Sequence, residues 1–114
     1  MQRSEIWLIS LDPTIGAEIR KTRPVVIVSS DDVGALPLKV VAPLTDWKPH
    51  YAEVPWMTAI LPNSQNGLEK PSSCDAFQVR SVSVERFIRK LGNLDTKTMQ
   101  AITLSLAEVL GIEL

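Results

Sequence analysis

Apolar side chains occupy both parities of the first run of the chain, Ser4 to Leu11, with Ile6 and Leu8 on one face and Trp7, Ile9 and Leu11 on the other. A short run apolar on both faces predicts a strand covered on both sides. Asp12-Pro13 ends it. After a polar stretch to Pro24, Val25-Val26-Ile27-Val28-Ser29-Ser30 is short and dense in β-branched residues, which predicts a second strand. Turn residues run from Asp31 to Pro37, and a return strand is expected over Leu38 to Leu44, stopped by Pro43. A second polar loop, Thr45 to Tyr51, follows. Trp56 to Leu61 alternates Met57, Ala59 and Leu61 with Trp56, Thr58 and Ile60, and Pro62 to Gly67 reads as a long turn.

One more strand is expected over Ser73 to Val82, with Phe77 and Val79 on one face, Gln78 and Arg80 on the other, and Phe77 in the core. Ser83 to Phe87 fits a single helical turn and Ile88 to Leu94 a short strand. The pattern then changes period. Met99, Ile102, Leu106, Val109 and Leu110 recur at helical spacing, after an N-cap at Asp95 and before a stop at Gly111. Five or six short, mostly antiparallel strands and one amphipathic helix predict a mainly β fold, closed into a small barrel.

Composition narrows the picture. With 114 residues, 45% of them hydrophobic, the chain is expected to form one domain, 1–114, around its own core. No apolar stretch is long enough to span a bilayer and the N-terminus lacks a signal-peptide layout, so a cytoplasmic location is expected. Cys74 stands alone, which excludes an internal disulfide and leaves it as a small buried residue. A net charge of −1 excludes bulk attraction to nucleic acid, so a polyanion would have to be held by a local patch. Arg20, Lys21 and Arg23 supply one within four residues, and Lys48 and Arg80 can extend it.

Candidate chemistry follows by elimination. His50 is the only histidine, a poor basis for a metal site or a serine triad, and neither a nucleophile elbow nor a Gly-rich phosphate loop is present. There remain Glu18, Arg20, Lys21, Arg23, Thr45 and Trp47. Arg23 precedes Pro24, whose ring disfavours helical backbone before it, so Arg23 is expected extended at the mouth of a strand. A fixed arginine, a hydroxyl from a neighbouring loop and an aromatic ring can hold a phosphodiester and stack a base. With RNA the 2′-hydroxyl is a built-in nucleophile, and no metal or cofactor is called for.

The stretch from Leu11-Asp12-Pro13-Thr14 to Arg23-Pro24-Val25-Val26-Ile27-Val28-Ser29 closely resembles the opening of the MazF/PemK (Kid) family of toxins. The likeness continues through Val41-Ala42-Pro43-Leu44-Thr45, Asn66-Gly67-Leu68, Phe77-Gln78-Val79-Arg80-Ser81-Val82 and Lys90-Leu91-Gly92-Asn93-Leu94. The resemblance implies an SH3-like barrel with a C-terminal helix, a homodimer, and the endoribonuclease half of a type II toxin–antitoxin pair. It implies metal-independent cleavage of single-stranded mRNA to 2′,3′-cyclic phosphate and 5′-hydroxyl ends, and neutralisation by a small antitoxin whose disordered tail covers the RNA groove. By position, the catalytic residues are Arg23, Thr45 and Glu18, and the RNA-binding residues Arg20, Lys21, Trp47, Lys48, Gln78 and Arg80. Arg23 would stabilise the phosphorane. Glu18 would either orient Arg23, accept the 2′-hydroxyl proton, or merely pair with Lys21 or Arg20. Trp47 is either a stacking platform or a half-buried prop. Many relatives carry an aspartate where this chain has Phe77, and Asp75 is the nearest carboxylate. Base preference is expected from the surroundings of Trp47, His50 and the Asn63–Gly67 turn. The competing readings are a non-catalytic binder on the same barrel, such as a gyrase-directed toxin of the CcdB type, and a degenerate homologue that binds RNA or antitoxin only.

Overall fold

The computed structural model describes residues 1–114. Seven strands form, one or two more than expected: β1 (Glu5–Ser10), β2 (Thr22–Ile27), β3 (Leu38–Asp46), β4 (Met57–Ile60), β5 (Ser72–Asp75), β6 (Arg80–Ser83) and β7 (Phe87–Asn93). Single 3-10 turns span Pro49–Glu53, Ala76–Gln78 and Val84–Arg86, and α1 runs Thr96–Leu110. Every strand pair is antiparallel, in the order β4-β5-β3-β2-β1-β7, with β6 also on β3.

The long β3 turns this sheet over on itself. Its first half, Leu38–Val41, pairs with β6, and its last residues, Leu44–Asp46, pair with β5. Pro43 does not stop the strand. It lacks an N–H, but it lies where β3 exchanges one partner for the other, so the missing donor disturbs neither ladder. The expected strand Ser73–Val82 is in fact two strands. The Asp75 carboxylate accepts the Phe77 N–H at 3.0 Å and caps the Ala76–Gln78 turn, which ends β5 and swings the chain to the other half of β3. That turn also carries Phe77 out of the core, leaving it 61% exposed.

Two apolar clusters lie on the two faces of the central strands. Ile6, Val26, Ala42 and Leu44 pack with Met99 and Ile102 of α1, while Ile9, Leu11, Val25, Ile27 and Val41 pack with Val82. β1 serves both by simple alternation, Ile6 facing the first cluster and Trp7, Ile9 and Leu11 the second. The Asp95 carboxylate accepts the Thr98 N–H at 2.7 Å and starts the helix, and Gly111 ends it at φ +69°. Leu110, expected on the packed face, is exposed. No helix is long and apolar enough to cross a membrane.

The segment after β4 docks on β7 through two glycines. A Cβ on Gly67 would come within 2.0 Å of the Leu91 carbonyl oxygen, and one on Gly92 within 2.3 Å of the Gln65 oxygen. Buried Asn66 fastens the turn from within, its Nδ2 donating to the Leu61 carbonyl and its Oδ1 accepting from Asn63 and Leu68. Leu68, Glu69 and Lys70 are thereby set against the open end of β1 and β2.

Candidate active site

Arg23 enters β2 opposite Ile9, extended as its proline neighbour demands. The loop behind it turns through Lys21 in the left-handed region at φ +74°, with the Lys21 carbonyl accepting the Leu11 N–H at 2.9 Å. This turn presents the Arg20 carbonyl to the Arg23 Nε, which donates to it at 2.9 Å. The guanidinium is thus pinned through Nε, and its two Nη groups remain to grip an anion side by side.

Arg23 lines a cleft of about 520 Å³ whose floor is a row across three strands, Arg89–Leu8–Pro24, where Leu8 pairs with both of its neighbours. Thr45, from β3, lines the same cleft, as do Lys21, Lys70 and Arg89. Two carboxylates share it. Asp46 is paired with Lys70 at 2.9 Å, while Glu69 takes part in none of the chain's three ion pairs. Four cations against two acids leave the cleft with a positive balance. Cationic donors and a hydroxyl lining one such cleft are suited to a phosphate.

Glu18, Gln78 and Arg80 lie elsewhere, in a second cleft of about 340 Å³ on the other side of the loop. Glu18 forms no ion pair with Lys21 or Arg20. Its Oε1 accepts the Ile15 N–H at 2.6 Å and stabilises the loop's own turn. Gln78 is committed as well, accepting the Ile19 N–H at 2.6 Å and donating to the Ala17 carbonyl at 3.2 Å. Arg20 is exposed on the loop, between the two clefts in sequence. Trp47 is half-buried edge-on to Tyr51, with ring centroids 6.0 Å apart, and Lys48 precedes the Pro49–Glu53 turn; neither lines either of these two clefts. Asp75, buried beneath its turn, also stays outside both. Burial raises its pKa against the opposing pull of the Phe77 and Gln78 N–H groups. Burial likewise pushes the Cys74 thiol well up, which removes it as a nucleophile. No three His, Cys, Asp or Glu side chains gather as a metal site would need.

Arg89, Lys70 and Glu69 were not singled out from the sequence. Arg89 reaches the cleft through the β1–β7 register, which a periodicity argument does not contain. Lys70 and Glu69 arrive through the docking of the Asn66-Gly67 turn on β7, and that glycine was the available signal.

A family model described as "PemK-like, MazF-like toxin of type II toxin-antitoxin system" matches residues 2–110. Endoribonuclease MazF9 of Mycobacterium tuberculosis is 33% identical over 100 residues, 82% of each chain. Endoribonuclease MazF of Staphylococcus saprophyticus is 30% identical over 113 residues, 98% of this chain and 92% of its own. Among solved structures, an endoribonuclease in complex with its cognate antitoxin, from a mycobacterial species, matches with a TM-score of 0.78 at 20% identity, over 100% of this chain and 98% of that one. This structural likeness speaks for the fold, and the mainly β barrel with its C-terminal helix agrees with it. With a family match over nearly its whole length and curated relatives at this identity, the chain belongs to the PemK-like, MazF-like toxins of type II toxin–antitoxin systems.

Proposed function

We propose that the protein is an endoribonuclease toxin that cleaves single-stranded mRNA without a metal, leaving a 2′,3′-cyclic phosphate and a 5′-hydroxyl. The observation that carries this is the meeting of Arg23 and Thr45 in one cationic cleft, with the Arg23 guanidinium pinned through Nε and its Nη groups unspent. The 2′-oxygen attacks the adjacent phosphorus as the bond to the 5′-oxygen breaks. Negative charge builds on the non-bridging oxygens, where Arg23 and Thr45 donate, each such donor being worth about 3 kcal/mol in a site closed to water. The 2′-hydroxyl proton needs an acceptor. Glu69 is the carboxylate of this cleft without an ion-pair partner, and we assign it that role; Glu18, spent on Ile15, shapes the loop. The leaving oxygen takes its proton from Arg23 or from water.

The solved mycobacterial relative is held by its cognate antitoxin. In this proposal the present chain acts in the cytoplasm as a homodimer, and its antitoxin tail carries acidic residues that compete for Lys21, Arg23, Lys70 and Arg89. A gyrase-directed binder on the same barrel would have no use for a pinned guanidinium and a hydroxyl in one cleft. Purified protein incubated with long single-stranded RNA in EDTA, with ends mapped beside an Arg23→Ala control, tests the chemistry. Cleavage that requires Mg²⁺, or that survives in the variant, would refute it.

A further inference from the structure

The loop over residues 17–23 is a wall shared by two clefts. Lys21, Thr22 and Arg23 border the larger, Ala17, Glu18 and Ile19 the smaller, and β3 runs beneath both, giving Pro43 to one and Thr45 to the other. Two residues of extended strand separate Pro43 from Thr45, about 6.6 Å. The smaller cleft therefore opens within one nucleotide's reach of the phosphate held by Arg23 and Thr45.

Its contents differ from those of its neighbour. Leu11, Ile19, Pro43 and Val79 make an apolar lining. Phe77 leans on Trp56, ring centroids 5.3 Å apart, and borders the cleft while remaining 61% exposed. Arg80, half-buried in β6 opposite Val41, borders it too and belongs to none of the three ion pairs. Gln78 and Glu18 have spent their polar groups on the loop backbone. One aromatic ring and one free guanidinium beside apolar walls remain for a ligand. A nucleobase uses both, stacking on the ring and offering acceptor atoms to the arginine. At about 340 Å³ the space admits a planar base with room for its sugar and is too small for a helix.

We propose that this smaller cleft is a nucleobase subsite, and that Phe77 and Arg80 set the base preference at the nucleotide adjoining the cleaved phosphate. The proposal rests on the endoribonuclease function above, and it moves the reading of sequence away from Trp47 and the Asn63–Gly67 turn.

The test is a pair of measurements. Cut sites are mapped on a long RNA for wild type, Phe77→Ala, Phe77→Tyr and Arg80→Gln. Phe77→Ala and Arg80→Gln should flatten the preference at one and the same flanking position, discrimination there falling on the order of ten-fold, while Phe77→Tyr retains it. Separately, a non-cleavable all-deoxy oligonucleotide with a single abasic position walked along it is titrated against wild type and Phe77→Ala. The abasic lesion should weaken the wild type at one position and cause no further loss in the variant. Unchanged cut-site profiles, or an abasic penalty independent of Phe77, overturn the proposal. So does a Phe77→Ala variant impaired only in antitoxin binding, which would make the cleft a peptide site. Failure of the wild type to cut any RNA refutes the endoribonuclease function, and the abasic titration then judges base binding by itself.

Discussion

Gln78 holds Ile19 by the backbone: its Oε1 accepts the Ile19 N–H at 2.6 Å while its Nε2 donates to the Ala17 carbonyl at 3.2 Å. A loop between strands has no ladder of its own, and here one side-chain amide takes the place of a paired strand. The segment it secures runs directly into Lys21 and Arg23. We infer from this that Gln78 positions the larger cleft from a distance, by holding the loop that leads to Arg23.

Replacing it should loosen the loop before it harms the fold. Gln78→Ala leaves the Ile19 N–H and the Ala17 carbonyl without their partner, and Gln78→Glu keeps the acceptor but sets an oxygen against the Ala17 oxygen. Cleavage efficiency is expected to fall about ten-fold or more in both, given the sensitivity of positioned groups to small displacements. Amide exchange at Ala17 to Ile19 should quicken while the core strands stay protected. Unaltered exchange in this loop would remove Gln78 from the positioning role.

Arg23 and Thr45 make separable demands on shape and charge. Arg23→Lys keeps the charge and loses both the Nε contact to Arg20 and the planar fork, so kcat should drop roughly a hundred-fold or more with a small change in KM. Thr45→Val preserves size and β-propensity and removes only the hydroxyl. A loss in KM alone, with kcat intact, would show that it binds substrate and transition state equally. Single-turnover cleavage of a short RNA separates the two outcomes, and the double variant should lose less than the product of the single losses.

The strands and helix with strong periodicity were legible in the residues, because burial of one or two whole faces leaves a repeating mark. β1 and α1 stand where their patterns put them, while β2 starts three residues earlier than expected, at Thr22, and ends at Ile27. Arg23 was legible too, since the Arg-Pro pair constrains its backbone locally. What depends on a single polar group was not. The Asp75 carboxylate splits an apolar-looking strand and turns Phe77 outward, and nothing in the alternation of its neighbours announces that cap. Arg89 joins the cleft only through strand register, and Glu69 and Lys70 only through loop docking. Glu18, read as a residue of the same site, sits across the loop from it because its carboxylate closes on Ile15.

The two acids should consequently differ in kind. Glu69→Gln removes the proton acceptor and is expected to lower kcat by a factor on the order of 10² to 10⁴ and to flatten the acid limb of the pH–rate profile. Glu18→Gln retains an oxygen for the Ile15 N–H and should leave the profile's shape unchanged, with a modest loss in rate. If Glu18→Gln flattens the acid limb instead, the proton goes to Glu18 in the bound state and the assignment of Glu69 is wrong.

Acid should expose a structural carboxylate far from the chemistry. Burial pushes the Glu5 pKa up, but the Trp7 Nε1–H donor at 2.8 Å, the Gln2 backbone, the terminal ammonium and Lys90 together outweigh it and hold the carboxyl below its ordinary value of 4.5. A group more acidic in the folded chain than in the unfolded one contributes stability that is complete above the unfolded pKa and is lost as pH falls through the folded pKa. Glu5→Gln keeps an acceptor for Trp7 and removes the charge, so it should cost on the order of 1 kcal/mol at pH 7. That difference from wild type should shrink progressively once the pH drops below 4.5 and vanish beneath the folded pKa. Urea unfolding of the two proteins at a series of pH values measures it, and a gap that stayed constant into acid would mean that packing at Glu5, and not its charge, holds β1 to β7.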